Sequence, residues 1–180
     1  MTCIVGVVAG GKVLLGSDSI TADGYTVHVT PTRKVCRAGE YVFGFTTSWR
    51  MGQILKTVQW PKPPKRGLER FVETSLSDFL RKSLNDHGWG RVNITEPGAN
   101  GAHAGGNFLI GVRGLLFEVC PDYGMVRNLE YATVGAAQDI ALGALFVTRG
   151  QRPRARIRKA LKAASTHNMA VRPPWVIVST

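Results

Sequence analysis

The chain has 180 residues, 44% of them apolar, which suits one domain over residues 1–180 with a substantial core. Lysine and arginine outnumber aspartate and glutamate by 23 to 12, a formal charge of +11 that favours acidic partners and says nothing about fold. No apolar run approaches the ~18 residues of a membrane-spanning helix. The start also lacks a charged n-region and cleavage signature, so the expectation is a cytoplasmic protein with no membrane partner.

Thr2 to Val8 (TCIVGVV) is short, apolar and β-branched, the composition of a strand. Ala9-Gly10-Gly11 signals a turn, and Lys12 to Ser17 (KVLLGS) is a second strand. A three-residue loop with one left-handed glycine pairs Val8 with Lys12, Val5 with Leu15 and Thr2 with Asp18. A two-residue turn instead sets Asp18 opposite Cys3, and the first register is preferred for its apolar pairs. Tyr41 to Ser48 is an apolar strand ending in small residues. A helix is expected from Trp49 to Trp60, stopped by the Pro61–Pro64 cluster.

From Gly67 to Leu84 the positions Leu68, Phe71, Val72, Leu76, Phe79, Leu80 and Leu84 form one apolar helical stripe. His87 to Gly106 is rich in Gly and Asn, without periodicity, and reads as a long loop. It has no Gly-Lys-Ser/Thr, and His87 and His103 lack partners at ligand spacing, so no cofactor or metal is expected. Asn107 to Val112 and Leu115 to Val119 make a hairpin across Arg113-Gly114, and Gly124 to Tyr131 is a further strand candidate. Helices follow at Ala136 to Thr148 and Arg154 to Ser165, then a last strand at Pro174 to Ser179.

In the basic segment Arg149–Lys162, the stripe Ile157, Ala160, Leu161 and Ala164 is buried and the arginines cover the solvent face. With no aromatic-interleaved or zinc-finger motif beside it, nucleic acid is not the expected partner. Cys3, Cys36 and Cys120 are odd in number and widely spaced, and read as reduced residues at least half buried. Helices arriving in pairs between strand groups exclude simple βαβ alternation. The order implies an α+β fold, a four-layer αββα sandwich of two antiparallel sheets.

The chemistry-bearing pattern is at the start. Small second residues such as Thr2 are those before which the initiator methionine is usually removed. Thr2 then carries an α-amine beside its own hydroxyl, a nucleophile with a built-in base. Lys34, in TPTRKV (residues 30–35), disfavours protonation of a neighbouring amine and supports a developing alkoxide. Asp18 holds such a lysine charged and oriented.

Thr2, Gly16-Ser17-Asp18-Ser19 and Lys34-Val35 at these separations resemble the N-terminal-nucleophile hydrolases of the proteasome β-subunit and HslV type. The Phe43 to Ser48 run before a helix and the Val134-Gly135-Ala136-Ala137 turn add to the likeness. The resemblance implies a threonine peptidase with catalytic residues Thr2, Asp18 and Lys34, and an oxyanion donor at the Thr47 N–H. It further implies a substrate strand along Thr21-Ala22, a side-chain pocket at Phe45, and peptides or unfolded polypeptides as substrates. A homo-oligomeric ring follows too, with any ATPase unfoldase a separate protein. Four positions depart from the family pattern: Ala136 for serine, Asn168 for aspartate, Val171 for serine and Thr47 for glycine. A catalytically silent scaffold and a small-molecule amidohydrolase are the alternatives.

Overall fold

The computed structural model describes residues 2–23, 26–89 and 107–180. The chain runs through β1 (Cys3–Ala9), β2 (Lys12–Ser17), β3 (Ile20–Asp23), β4 (Thr26–Val29), β5 (Val35–Ala38) and β6 (Tyr41–Phe45). Helix α1 (Trp49–Thr57) follows, then a helical run of α2 (Leu68–Phe71), a π-turn at Val72–Leu76 and α3 (Ser77–Asp86). Next come β7 (Phe108–Val112), β8 (Leu115–Val119), β9 (Met125–Asn128) and β10 (Tyr131–Gly135). Helices α4 (Gln138–Val147) and α5 (Pro153–His167) precede β11 (Val176–Ser179).

Two antiparallel sheets, ordered β10-β1-β2-β11 and β5-β6-β7-β8-β9, form the centre of an αββα sandwich. Three apolar layers hold it together. Ile4, Val13, Leu15, Val35, Val42, Leu109 and Val134 fill the space between the sheets. Cys3, Val5 and Val7 face the other way, onto Ala141, Leu145, Ile157 and Leu161 of α4 and α5. On the far side Phe43, Phe108, Ile110 and Phe117 meet Met51, Leu55, Leu76 and Leu80. A strand buried on both faces has no polar alternation, which is why β1 reads as an unbroken apolar run.

The observed register of β1 and β2 corrects the expected one. Ala9 pairs with Lys12 and Ile4 with Ser17 across a two-residue turn. Gly10 and Gly11 both take positive φ, 55° and 70°. Only two successive residues tolerant of that region allow this tight turn, whose twist matches the flanking strands. Asp18 therefore comes beside Cys3, not Thr2.

The segment expected as one strand over Gly124 to Tyr131 is two. Met125–Asn128 closes one sheet and Tyr131–Gly135 edges the other, with the exposed Leu129 and Glu130 at the crossover. The hairpin of β3 and β4 stands apart from both sheets and was not legible in the sequence. All seven apolar positions of the 67–84 stripe pack on the β6–β8 side, although the π-turn interrupts the regular helix. The first helix stops at Thr57, and Trp60 folds back so that its Nε1–H donates to the Leu55 carbonyl.

On α5 the expected stripe is buried, but one arginine departs from the solvent face. Arg156 is 8% exposed, its Nη2 donates to the Leu145 carbonyl at 2.9 Å, and its guanidinium lies 5.2 Å from the Tyr131 ring centre. It satisfies a carbonyl in the last turn of α4, where the helix dipole favours a cation. No helix among the described residues is long and apolar enough to cross a membrane.

Candidate active site

Strand β2 ends at Ser17, and the next residue turns its carboxylate into the protein. Asp18 and Lys34 are each 1% exposed and form an ion pair with Nζ to Oδ2 at 2.6 Å. The other carboxylate oxygen accepts the Cys3 N–H at 3.0 Å, and Oδ2 also accepts the Ile20 N–H at 3.3 Å. Asp18 thus clamps the start of β1, the start of β3 and the lysine together. The Lys34 ammonium lies 5.7 Å from the Trp49 ring centre, within cation–π range. Burial holds the Lys34 pKa below its ordinary 10.5, with the Asp18 charge acting in the opposite direction. The Cys3 thiol is pushed up to about 12, by burial first and by Asp18 second. It stays protonated and unreactive.

Thr2 is 7% exposed. Its carbonyl accepts the Ala136 N–H at 2.8 Å, just beyond the pairing of Cys3 with Gly135. Gly135 has φ 108°, and a Cβ there would run into the Thr2 carbonyl. Sequence reasoning placed Gly135 in a turn but missed this contact, which no spacing rule reveals. Gly135→Ala is accordingly expected to displace Thr2 and lower any Thr2-dependent rate by about 10²-fold, the cost of a roughly 1 Å misplacement. Parallel rate and melting measurements check this.

Asn168, at the end of α5, donates from Nδ2 to the Ala136 carbonyl at 3.1 Å and accepts the Ala170 N–H. Two of the residues that depart from the family pattern are therefore bonded to one another behind Thr2.

Thr47 lies on the turn between β6 and α1. The Ser48 N–H donates to the Thr46 carbonyl at 2.7 Å, and Thr47 between them has φ 69°. This is a γ-turn of the rare positive-φ kind. For a β-branched residue the left-handed region costs about 1–2 kcal/mol. The Ser48 hydroxyl then caps α1 by accepting from Arg50 and Met51 N–H groups.

These elements converge on one cavity of about 240 Å³, bordered by Thr2, Lys34 and Thr47 together with Thr21, Ala22 and Phe45. Thr46, Ser48 and Trp49 complete its rim. Of the seven candidate catalytic and substrate-binding residues, Asp18 alone does not border it, lying behind Lys34. Thr21 and Ala22 belong to β3, which pairs with β4 along one edge and with no strand among the described residues along the other.

A wider cleft of about 400 Å³ lies near Arg37, Lys56 and Trp60. Its one hydroxyl, on Tyr41, is committed to the Pro61 carbonyl at 2.8 Å. Among the described residues no group of three or more His, Cys, Asp or Glu could hold a metal. His87 ends α3 with Nδ1 against the Ser83 carbonyl, and His103 lies outside the described residues.

No protein-family model and no curated protein sequence matches the chain. Solved structures do. Thiobacillus denitrificans BPH in complex with epoxomicin aligns with TM-score 0.78 and 18% identity, over 99% of this chain and 98% of that one. HslV from Trypanosoma brucei aligns with TM-score 0.68 and 15% identity, over 99% and 98%. Anbu (ancestral beta-subunit) from Yersinia bercovieri gives 0.68 and 16%, over 99% and 81%. The chain shares the overall fold of HslV and Anbu.

Proposed function

We propose that this chain is a threonine peptidase that acts once Met1 has been removed. The observation that carries the reading is a single cavity bordered by Thr2, Lys34 and Thr47, with Lys34 fixed from behind by Asp18. The freed Thr2 amine, directly or through one water, takes the proton of the Thr2 hydroxyl as Oγ1 attacks the scissile carbonyl. The Lys34 ammonium supports the charge developing on Oγ1, and the Thr47 N–H stabilises the oxyanion, a donor worth about 3 kcal/mol. Collapse of the tetrahedral intermediate expels the amine fragment, which takes the proton from the Thr2 ammonium. Water then attacks the threonyl ester with the amine again as base, and the acid product leaves. The substrate backbone adds as a strand to the open edge of β3 at Thr21-Ala22, and Phe45 lines the pocket for its side chain.

Peptides or unfolded polypeptides fit an extended strand site. A homo-oligomeric ring and a separate ATPase unfoldase are the partners that the sequence resemblance implies, and a cytoplasmic site of action suits them.

The decisive experiment is intact-mass analysis after incubation with epoxomicin, the compound named in the Thiobacillus denitrificans BPH structure. A peptide epoxyketone offers a ketone to the threonine oxygen and an epoxide to its amine. One adduct on a chain that begins at Thr2 supports the peptidase. No adduct on such a chain supports the silent scaffold motivated by Ala136 and Asn168.

The pH dependence follows from the same groups. An α-amine titrates near 7.7–8.0 unperturbed, and a neighbouring ammonium lowers that value. Activity should therefore rise with pH through an acid limb near or below neutrality, as the base loses its proton. It should fall again on an alkaline limb below 10.5, where Lys34, its pKa lowered by burial, loses its charge. A kcat profile flat across both windows would reject the assignment.

A further inference from the structure

Thr47 presents a problem that its neighbour solves. Where the family resemblance implies glycine, this chain has a β-branched residue at φ 69° in a γ-turn. Such a conformation persists only where the surroundings over-determine it.

Beside the Ser48 cap on α1, the turn is held by one atom outside it, the Asn107 carbonyl oxygen at the entry to β7. It accepts both the Thr46 N–H at 3.3 Å and the Thr46 hydroxyl at 2.6 Å. With its proton committed to Asn107, Thr46 Oγ1 is an acceptor toward Thr47 Oγ1, 3.1 Å away. The hydroxyls therefore form a directed chain, Thr47 O–H to Thr46 Oγ1 and Thr46 O–H to the Asn107 carbonyl. That chain anchors the turn to the neighbouring strand and gives the strained residue a side-chain bond in that conformation. The γ-turn uses the Thr46 carbonyl and Ser48 N–H internally, so the Thr47 N–H is left outside its ring. No acceptor among the described residues takes that N–H.

We infer that Thr46 is a positioning residue for catalysis: its hydroxyl latch to Asn107 holds the Thr47 N–H in place for the oxyanion. The inference rests on the peptidase reading, but the latch itself can be read without activity. Thr46→Val removes the hydroxyl at nearly constant shape, and Thr46→Ser keeps it.

In Thr46→Val, kcat on a fluorogenic peptide should fall about 30-fold with KM little changed, part of the roughly 10²–10³-fold cost of losing an oxyanion donor. Thr46→Ser should stay within about threefold of wild type. A glycine at 47 needs no latch, so the double variant Thr46→Val/Thr47→Gly should recover most of the loss. The Ser48 amide, bonded across the turn, should exchange with solvent about tenfold faster in Thr46→Val than in wild type, by an opening equilibrium independent of chemistry. Wild-type kcat in Thr46→Val, no recovery in the double variant, or unchanged Ser48 exchange each overturns the latch. An inactive wild type whose Ser48 exchange still responds to Thr46→Val overturns the peptidase reading and with it the catalytic role, leaving a structural latch.

Discussion

Replacing Thr2 by alanine is expected to reduce peptide hydrolysis by at least about 10³-fold and abolish epoxomicin labelling, while the protein melts within a few degrees of wild type. The chemistry loses its nucleophile outright, and knockouts of such groups typically cost even more. The fold loses little. Thr2 belongs to none of the three apolar layers, and its carbonyl bond to the Ala136 N–H is one that alanine keeps. Adding residues before Thr2 tests the amine separately. The hydroxyl stays and the base becomes an amide, so the rate should fall comparably although the side chain is intact. Fluorogenic peptide assays with circular dichroism melts on the same samples measure both. A Thr2→Ala protein that keeps its rate would move the nucleophile elsewhere.

How far the sequence carried this site can be seen residue by residue. The unbroken apolar run of β1 and the seven-residue stripe ending at Leu84 gave the layers, because burial on one or both faces writes directly into side-chain type. Thr2, Asp18 and Lys34 stood out together by their separations and Thr47 through the family resemblance; in the structure Thr2, Lys34 and Thr47 border one cavity and Asp18 lies behind Lys34. The register of β1 against β2 was not legible from apolar pairing, since with both faces buried a one-residue slip still meets apolar partners. Two successive glycines carried that information, and the turn they make decided it.

The β3–β4 hairpin escaped because β4 is exposed at all four positions, with no alternation to read. Contacts that depend on backbone shape left no pattern at all. The Gly135 approach to the Thr2 carbonyl and the convergence of Thr46 on Asn107, 61 residues away, are tertiary facts. Arg156 illustrates the converse: a helical arginine is exposed by default, yet this one found an unsatisfied carbonyl within reach.

The second large effect concerns the buried ion pair, where stability and chemistry can be separated. Asp18→Asn and Lys34→Met should each destabilise the protein by about 3–5 kcal/mol, because each leaves one buried charge without its counter-charge. Lys34→Met strands a carboxylate that retains two backbone N–H donors, Cys3 and Ile20. Asp18→Asn strands an ammonium that burial already disfavours, so the lysine should respond by losing its proton. The double variant removes both charges at similar volume and should recover much of the lost stability, since apolar or neutral replacements of buried pairs are often close to neutral. It should not recover activity. On the peptidase reading, the cavity that Thr2 borders then lacks the ammonium proposed to lower the proton affinity of the amine and support the alkoxide, and kcat should remain down by about 10²-fold or more, the scale of one lost electrostatic contact to a developing charge. Urea unfolding and kcat measured on all four proteins form the cycle. A double variant that regains both stability and rate would make Lys34 a packing residue with no part in the reaction. One that regains stability alone assigns the pair its chemical role, with Asp18 acting through Lys34.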